Sequence, residues 1–110
     1  MNEYALREGP YSAVVTERGA ALRQLRHGER DLIVPFPAGG PIPDYRGIIA
    51  APWPNRLEDG RYSFEGVEHQ LPVNEPERAC ALHGLAHGED WTVEEHDRSS
   101  VVLTLSLIHI

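Results

Sequence analysis

The segment RYSFEGVEHQL, residues 61–71, is typical of a β-hairpin. Tyr62 and Phe64 alternate with polar residues before Glu65–Gly66, and Val67 begins a second alternating run after it. Gly66 can adopt the positive φ that a tight two-residue turn requires. The segment therefore predicts two antiparallel strands joined at Glu65–Gly66.

A second hairpin is indicated near the carboxyl end, in SVVLTLSLI, residues 100–108. Val101, Leu103 and Leu105 recur with the period of two that a half-buried strand shows. The preceding run from Trp91 also alternates, and the polar residues 96–100 lie between the two. These runs predict a pair of antiparallel strands.

The stretch AALRQLRHGERDLIV, residues 20–34, suits either a short helix or a strand, because Leu22 and Leu25 are compatible with a helical stripe. Gly19 and Gly28 bound it too closely for a stable helix. We therefore assign a strand here, with residues 31–34 as the return strand of a hairpin.

Residues 35–54 contain six prolines and three glycines, a density that predicts irregular backbone. Ile48, Ile49 and Trp53 add apolar surface that disordered linkers seldom carry, so the segment is expected to be ordered. A packed irregular segment and a functional loop are equally good interpretations.

Composition narrows the classes of partner. The chain has 110 residues, enough for one small domain, and its ten basic residues are all arginine against 17 acidic ones, for a net charge of −7. Such a balance disfavours nucleic acid and anionic membrane surfaces. Cys80 is the single cysteine, and no apolar run resembles a signal peptide or a membrane span. We expect a cytoplasmic protein that has neither a nucleic acid nor a membrane as partner.

Asn55 and Arg56 form the first candidate binding pair. They follow the rigid lead-in Pro52–Pro54, which would restrict where the guanidinium points. Arginine offers five donors in a planar fork, and asparagine adds donors and an acceptor, which suits a polyhydroxylated ligand. Trp53 or Tyr45 could present an apolar face to a sugar ring.

A simpler interpretation of the same residues stays open. Arg56 could form an exposed ion pair with Glu58 or Asp59, and Trp53 could be a core residue. Composition by itself favours this interpretation over a binding site.

His83, in ALHGL, is the second candidate, because Gly84 permits a tight turn or a close approach beside the imidazole. A single loop histidine is more often structural than functional. Cys80, His83 and His87 also have a spacing that zinc tolerates, with His69, His96 or a carboxylate as a fourth ligand. Nearby glycines disfavour the helix that such a zinc site would need, so metal binding is the weaker hypothesis.

The order of motifs resembles the amino-terminal part of the aldose 1-epimerase (galactose mutarotase) family. The resemblance is carried by YSAVVTERGAALRQL with its Gly-Ala turn, by APWPNRLEDGRYSFEGVEHQLPVNE, and by LHGLAHGEDW. It implies an all-β, antiparallel β-supersandwich of galactose mutarotase type, truncated, with residues 1–110 as the amino-terminal part of a single domain. Residues 105–110 are candidates for non-native sequence.

The resemblance also implies an activity, the interconversion of the α and β anomers of a free hexose such as galactose or glucose. In this family a glutamate removes the proton of the anomeric hydroxyl and a histidine protonates the ring oxygen, which is general acid–base catalysis without a cofactor. The implied partner is a small sugar, and the oligomeric state is left open.

Residue by residue, the family's sugar-binding Asn-Arg pair falls on Asn55 and Arg56, and its first pocket histidine falls on His83. The family's acid, pocket aspartate and base have no counterpart, so no catalytic residue is expected here, and His87, His96 and His109 lie in none of those motifs. The chain alone is expected to be inactive and poorly soluble. A non-catalytic carbohydrate-binding module and a hexose-6-phosphate 1-epimerase-like protein are the alternatives.

Overall fold

The structure is a computed structural model, and it describes residues 2–106. The described residues form antiparallel strands and single turns of 3-10 helix, so the predicted all-β class is confirmed. The strands are β1 (Glu3–Glu8), β2 (Tyr11–Thr16), β3 (Leu22–His27), β4 (Arg30–Asp31), β5 (Arg56–Glu58), β6 (Arg61–Phe64), β7 (Val67–Gln70), β8 (Cys80–Leu82), β9 (Thr92–His96) and β10 (Val101–Thr104). The 3-10 turns are Pro43–Tyr45, Pro76–Arg78 and Ala86–Gly88.

The chain divides into two compact units, the first made of Met1–Ile49 with Ala86–Ile110 and the second of Ala50–Leu85. In the first unit, β1 to β4 form one antiparallel sheet in chain order. Thr16 is fully buried at the end of β2, where its hydroxyl donates to the Arg18 carbonyl and accepts the Ala21 N–H. Burial of this polar side chain is tolerated because both bonds are made.

The predicted terminal hairpin is confirmed as β9 and β10, which pair antiparallel with a bulge after Val102. The hairpin is attached to the sheet of the same unit, since the Trp91 N–H donates to the Glu17 carbonyl at 2.9 Å. The strand ends at Thr104, before the predicted Leu105. Residues 107–110 lie outside the described residues, so the expectation for residues 105–110 stays a prediction.

The assignment of a strand to residues 20–34 is confirmed for Leu22–His27, but the predicted return strand at residues 31–34 is wrong in extent. β4 covers Arg30–Asp31 alone. The turn falls at Gly28, and the chain bends at Leu32 and Ile33, so the pairing ends early. β1 was not predicted, although Leu6 is less exposed than its neighbours Ala5 and Arg7.

Residues 35–54 are irregular except for one 3-10 turn, as predicted. In the first unit, this segment buries Phe36, whose carbonyl accepts a hydrogen bond from the Arg23 guanidinium at 3.0 Å. Ile49, by contrast, is exposed. No helix among residues 2–106 has the length and apolar character to cross a membrane.

The second unit contains two strand pairs, β5 with β8 and β6 with β7. The β6–β7 pair is the hairpin predicted from residues 61–71, and Glu65 and Gly66 both have positive φ, 52° and 80°. Tyr62 stacks on His69 across it, while Phe64 and Val67 remain exposed. The buried hydrophobic side chains of this unit lie in β8, Cys80–Leu82.

Candidate functional site

The β5–β8 pair brings Asn55 and His83 together. In this pair Arg56 lies opposite Leu82, so the residue before β5 faces the residue after β8. The His83 N–H donates to the Asn55 carbonyl at 2.8 Å, which extends the ladder by one step. Antiparallel register therefore places two motifs that are distant in the chain at the same end of one strand pair.

Both residues leave the ladder with left-handed backbone, φ 61° at Asn55 and 59° at His83. Asparagine and histidine are among the residue types that tolerate this conformation best. The Asn55 N–H donates to Nδ1 of His83 at 3.0 Å. Because Nδ1 accepts, the neutral imidazole carries its proton on Nε2, and this nitrogen is a hydrogen-bond donor.

Arg56 is held by two neighbours. Its Nε and Nη2 donate to the two carboxylate oxygens of Glu75, at 2.6 and 3.3 Å, and its Nη1 donates to Oδ1 of Asn55 at 3.2 Å. The ion pair proposed with Glu58 or Asp59 is therefore replaced by one with Glu75. These bonds use three of the five guanidinium N–H groups and leave two for another partner.

Glu75 remains ionised beside this guanidinium. The hydrogen bond from Arg56 holds the pKa of the Glu75 carboxyl below its ordinary value, and the charges of Arg56 and Arg78 act in the same direction, while desolvation opposes them. The same hydrogen bond raises the pKa of Arg56. The site thus contains a charged, doubly bonded pair at every physiological pH.

Asn74 and Glu75 are the residues of this site to which the sequence interpretation assigned no role, although the Asn-Glu pair was part of the resemblance. The Asn74 amide bonds both backbone groups of Leu82, accepting its N–H at 2.6 Å and donating to its carbonyl at 2.9 Å. This side chain replaces a neighbouring strand beside β8. The local sequence around Asn74 and Glu75 contains no pattern that would predict a contact with the Leu82 backbone.

Replacing Asn74 by alanine should lower the free energy of unfolding by about 2–3 kcal/mol, because both backbone groups of the buried Leu82 lose their partner. Amide hydrogen exchange at Leu82 would report the change locally. The matched control is N2A, which removes one exposed hydrogen bond to Glu17 and should cost less than about 0.5 kcal/mol. Equal exchange rates in N74A and the unaltered chain would refute the structural role of this amide.

Gly84 follows His83 at φ 77°, and the group that approaches it closely is backbone. Ala51 forms a parallel bridge with Gly84, and the Leu85 N–H donates to the Ala51 carbonyl at 2.7 Å. A Cβ built on Gly84 would overlap that carbonyl, and it would lie 2.9 Å from Pro52 N. The glycine is therefore needed for packing of the two loops, whatever ligand binds beside it.

Of the two aromatic candidates, Trp53 belongs to the same unit as the Asn-Arg pair and is half-buried, with its indole N–H donating to the Ala81 carbonyl at 3.2 Å. Tyr45 belongs to the other unit, where its ring packs edge-on against His87 at a centroid distance of 5.4 Å. Trp53 is thus partly a packing residue, as the simpler interpretation held.

The zinc hypothesis receives no support from the part of the chain that the structure describes. Within residues 2–106 no group of three or more His, Cys, Asp or Glu side chains is arranged to hold a metal ion. Three of the proposed ligands make other contacts. The Cys80 thiol bonds the Arg78 carbonyl, the His69 ring stacks on Tyr62, and His96 Nε2 contacts the Ala5 carbonyl.

A family model described as aldose 1-epimerase matches residues 2–109. Among curated relatives, the uncharacterized protein YihR of Escherichia coli K12 is 38% identical over 104 residues, which is 94% of this chain and 33% of that protein. A protein described as a probable aldose 1-epimerase from Arthroderma benhamiae is 34% identical over 64 residues, 56% of this chain and 14% of its own length.

Solved structures show the same fold. A GalM/aldose epimerase homologue from C. elegans aligns with a TM-score of 0.73 at 20% identity, over 94% of this chain and 35% of that one. A galactose mutarotase-like protein from Clostridium acetobutylicum aligns with a TM-score of 0.65 at 18% identity, over 90% and 32%. The predicted all-β fold of galactose mutarotase type is confirmed, and the chain spans about a third of the length of these proteins.

Proposed function

Because this chain belongs to the aldose 1-epimerase family, we propose that it is the amino-terminal, sugar-binding part of a mutarotase. The complete enzyme would be an isomerase that opens the ring of a free hexose such as galactose or glucose by general acid–base catalysis and closes it on the other face. The chain spans about a third of its relatives, so the acid and base are assigned to residues beyond 110. The chain alone is then inactive.

In this proposal Asn55, Arg56 and His83 bind the sugar. One observation carries it: Asn55 contacts both partners, through its N–H to the imidazole and through its Oδ1 to the guanidinium. These contacts place N–H donors of Arg56 and His83 on one hydrogen-bonded strand pair, which suits hydroxyl oxygens and the negative charge that develops on the sugar when its ring opens. The proposed partner is a small neutral sugar, and the proposed location is the cytoplasm.

The test compares the complete reading frame with the 110-residue chain. Proton NMR of freshly dissolved α-galactose, α-glucose and glucose 6-phosphate follows the two anomeric signals over time. We expect the complete protein to accelerate equilibration of at least one free hexose and the chain to leave the rate at the buffer value. Saturation-transfer NMR should show that the chain still binds the hexose.

Other results select the alternatives. Binding without acceleration by the complete protein would indicate a non-catalytic carbohydrate-binding module. Acceleration confined to glucose 6-phosphate would indicate a hexose-6-phosphate 1-epimerase-like protein. Absence of both binding and acceleration would end the proposal.

A further inference from the structure

We infer that Glu75 is a positioning residue that acts through Arg56 and sets the direction in which the guanidinium presents its two remaining N–H groups to the sugar. The inference rests on the proposed function, and it adds a residue to which the sequence interpretation and the family resemblance assigned no role.

The contact has the geometry of a side-on fork. Nε and Nη2 of Arg56 bond different oxygens of Glu75, so the carboxylate occupies one edge of the planar guanidinium. Oδ1 of Asn55 takes one hydrogen of Nη1. One remaining N–H group is on Nη1 and the other is on Nη2. The contacts with Glu75 and Asn55 lie at two different edges of the planar guanidinium and therefore restrict its rotation.

The backbone of Glu75 is itself held in place. Glu75 and Cys80 exchange two hydrogen bonds, N–H to carbonyl in both directions, at 3.1 and 3.2 Å. Cys80 is the first residue of β8. Asn74, which directly precedes Glu75, bonds Leu82 at the other end of that strand. The carboxylate therefore projects from a segment anchored at both ends of β8, whereas long surface side chains are usually mobile.

Exposure distinguishes the two partners. The Glu75 side chain is 19% exposed and the Arg56 side chain 38%. The carboxylate is thus the more enclosed member, with the guanidinium on its outer side. By comparison, Arg61 and Glu68 on the β6–β7 hairpin are joined by one 3.8 Å contact, and their side chains are 60% and 65% exposed. The Arg61–Glu68 pair is a matched control for an ordinary surface ion pair.

A competing explanation is that the Arg56–Glu75 pair stabilises the fold without serving the site. A double-mutant cycle separates the two explanations, because a residue that acts through Arg56 loses its effect once Arg56 is gone. The variants are E75Q, R56A and E75Q/R56A, with E68Q as control, all made in the complete protein. The dissociation constant for galactose or glucose is measured by NMR titration, and the Trp53 indole N–H resonance checks the folding of each variant.

We expect E75Q to weaken hexose binding about tenfold, since it removes the charge from a bidentate contact. In the R56A background the same substitution should change the dissociation constant less than about twofold. E68Q should bind as the unaltered protein does. A second readout is the Arg56 Nε–H resonance, which should exchange slowly with solvent in the unaltered protein and faster in E75Q.

Two results would overturn the inference: hexose binding by E75Q equal to that of the unaltered protein, or an equal loss with and without Arg56. If the unaltered protein binds no hexose, the proposed function fails and the sugar part of the inference fails with it. The Nε–H resonance then still decides whether Glu75 orients Arg56, and an unchanged exchange rate in E75Q would refute that as well.

Discussion

Replacing Gly84 by alanine should lower the free energy of unfolding by about 2–5 kcal/mol, the largest effect that we expect from a single methyl group in this chain. Two costs combine. A non-glycine residue at φ 77° is strained, and its Cβ would overlap the Ala51 carbonyl that already accepts the Leu85 N–H. The loops before β5 and after β8 would have to separate, and the hydrogen bonds between Asn55 and His83 would be lost with them.

The measurement uses the two tryptophans as separate reporters. A urea titration followed at the indole N–H resonance of Trp53 reports the second unit, and that of Trp91 reports the first. G66A is the matched control, because Gly66 has a similar φ of 80° but no atom within 4 Å of the added Cβ. It should cost about 1–2 kcal/mol. Equal destabilisation in G84A and G66A would show that the approach of Ala51 is unimportant.

In the mutarotase proposed above, replacing Arg56 by alanine should lower kcat/KM at least about 100-fold. The two N–H groups that Glu75 and Asn55 leave for a partner would be lost, and each hydrogen bond from a charged donor is worth about 1.5–3 kcal/mol. H83A should have an effect of about tenfold, since a neutral imidazole donor contributes less. Neither variant should unfold the protein, because both side chains lie at the ends of the β5–β8 pair.

R61A provides the control for Arg56, since Arg61 is also an exposed, ion-paired arginine in the same unit. It should keep kcat/KM within about twofold of the unaltered enzyme. Initial rates of anomer equilibration by polarimetry measure all three variants. Unaltered rates in both R56A and H83A would remove these residues from the sugar site.

Local sequence patterns were sufficient to predict hairpins that are defined by alternating residues and turn residues. The hairpins predicted within residues 61–71 and 91–108 follow from period-two alternation and turn residues, and both form, although the last strand ends at Thr104, before the predicted Leu105. β3 was also correct despite its ambiguous pattern. β5 and β8 were missed because short strands without a turn of their own depend on partners elsewhere in the chain, whereas β1 was missed although a two-residue turn joins it to β2.

The candidate residues were chosen by motif, and their convergence could not be derived from local pattern. Asn55, Arg56 and His83 come together because β5 pairs with β8, and that pairing joins segments with a whole hairpin between them. The ion-pair partner of Arg56 shows most clearly what local sequence could not predict. Sequence proximity suggested Glu58 or Asp59, but the bridge between Glu75 and Cys80 brings a more distant carboxylate to the guanidinium.

The sequence by itself determined the all-β class, the turn positions and the family, because these depend on residue types at short range and on the order of motifs. The tertiary structure alone decided which carboxylate binds Arg56, which imidazole nitrogen of His83 accepts a hydrogen bond, and why a side chain at position 84 would clash with Ala51. Those features depend on the register of strands that are remote in the chain, and residue pattern does not encode that register over such separations.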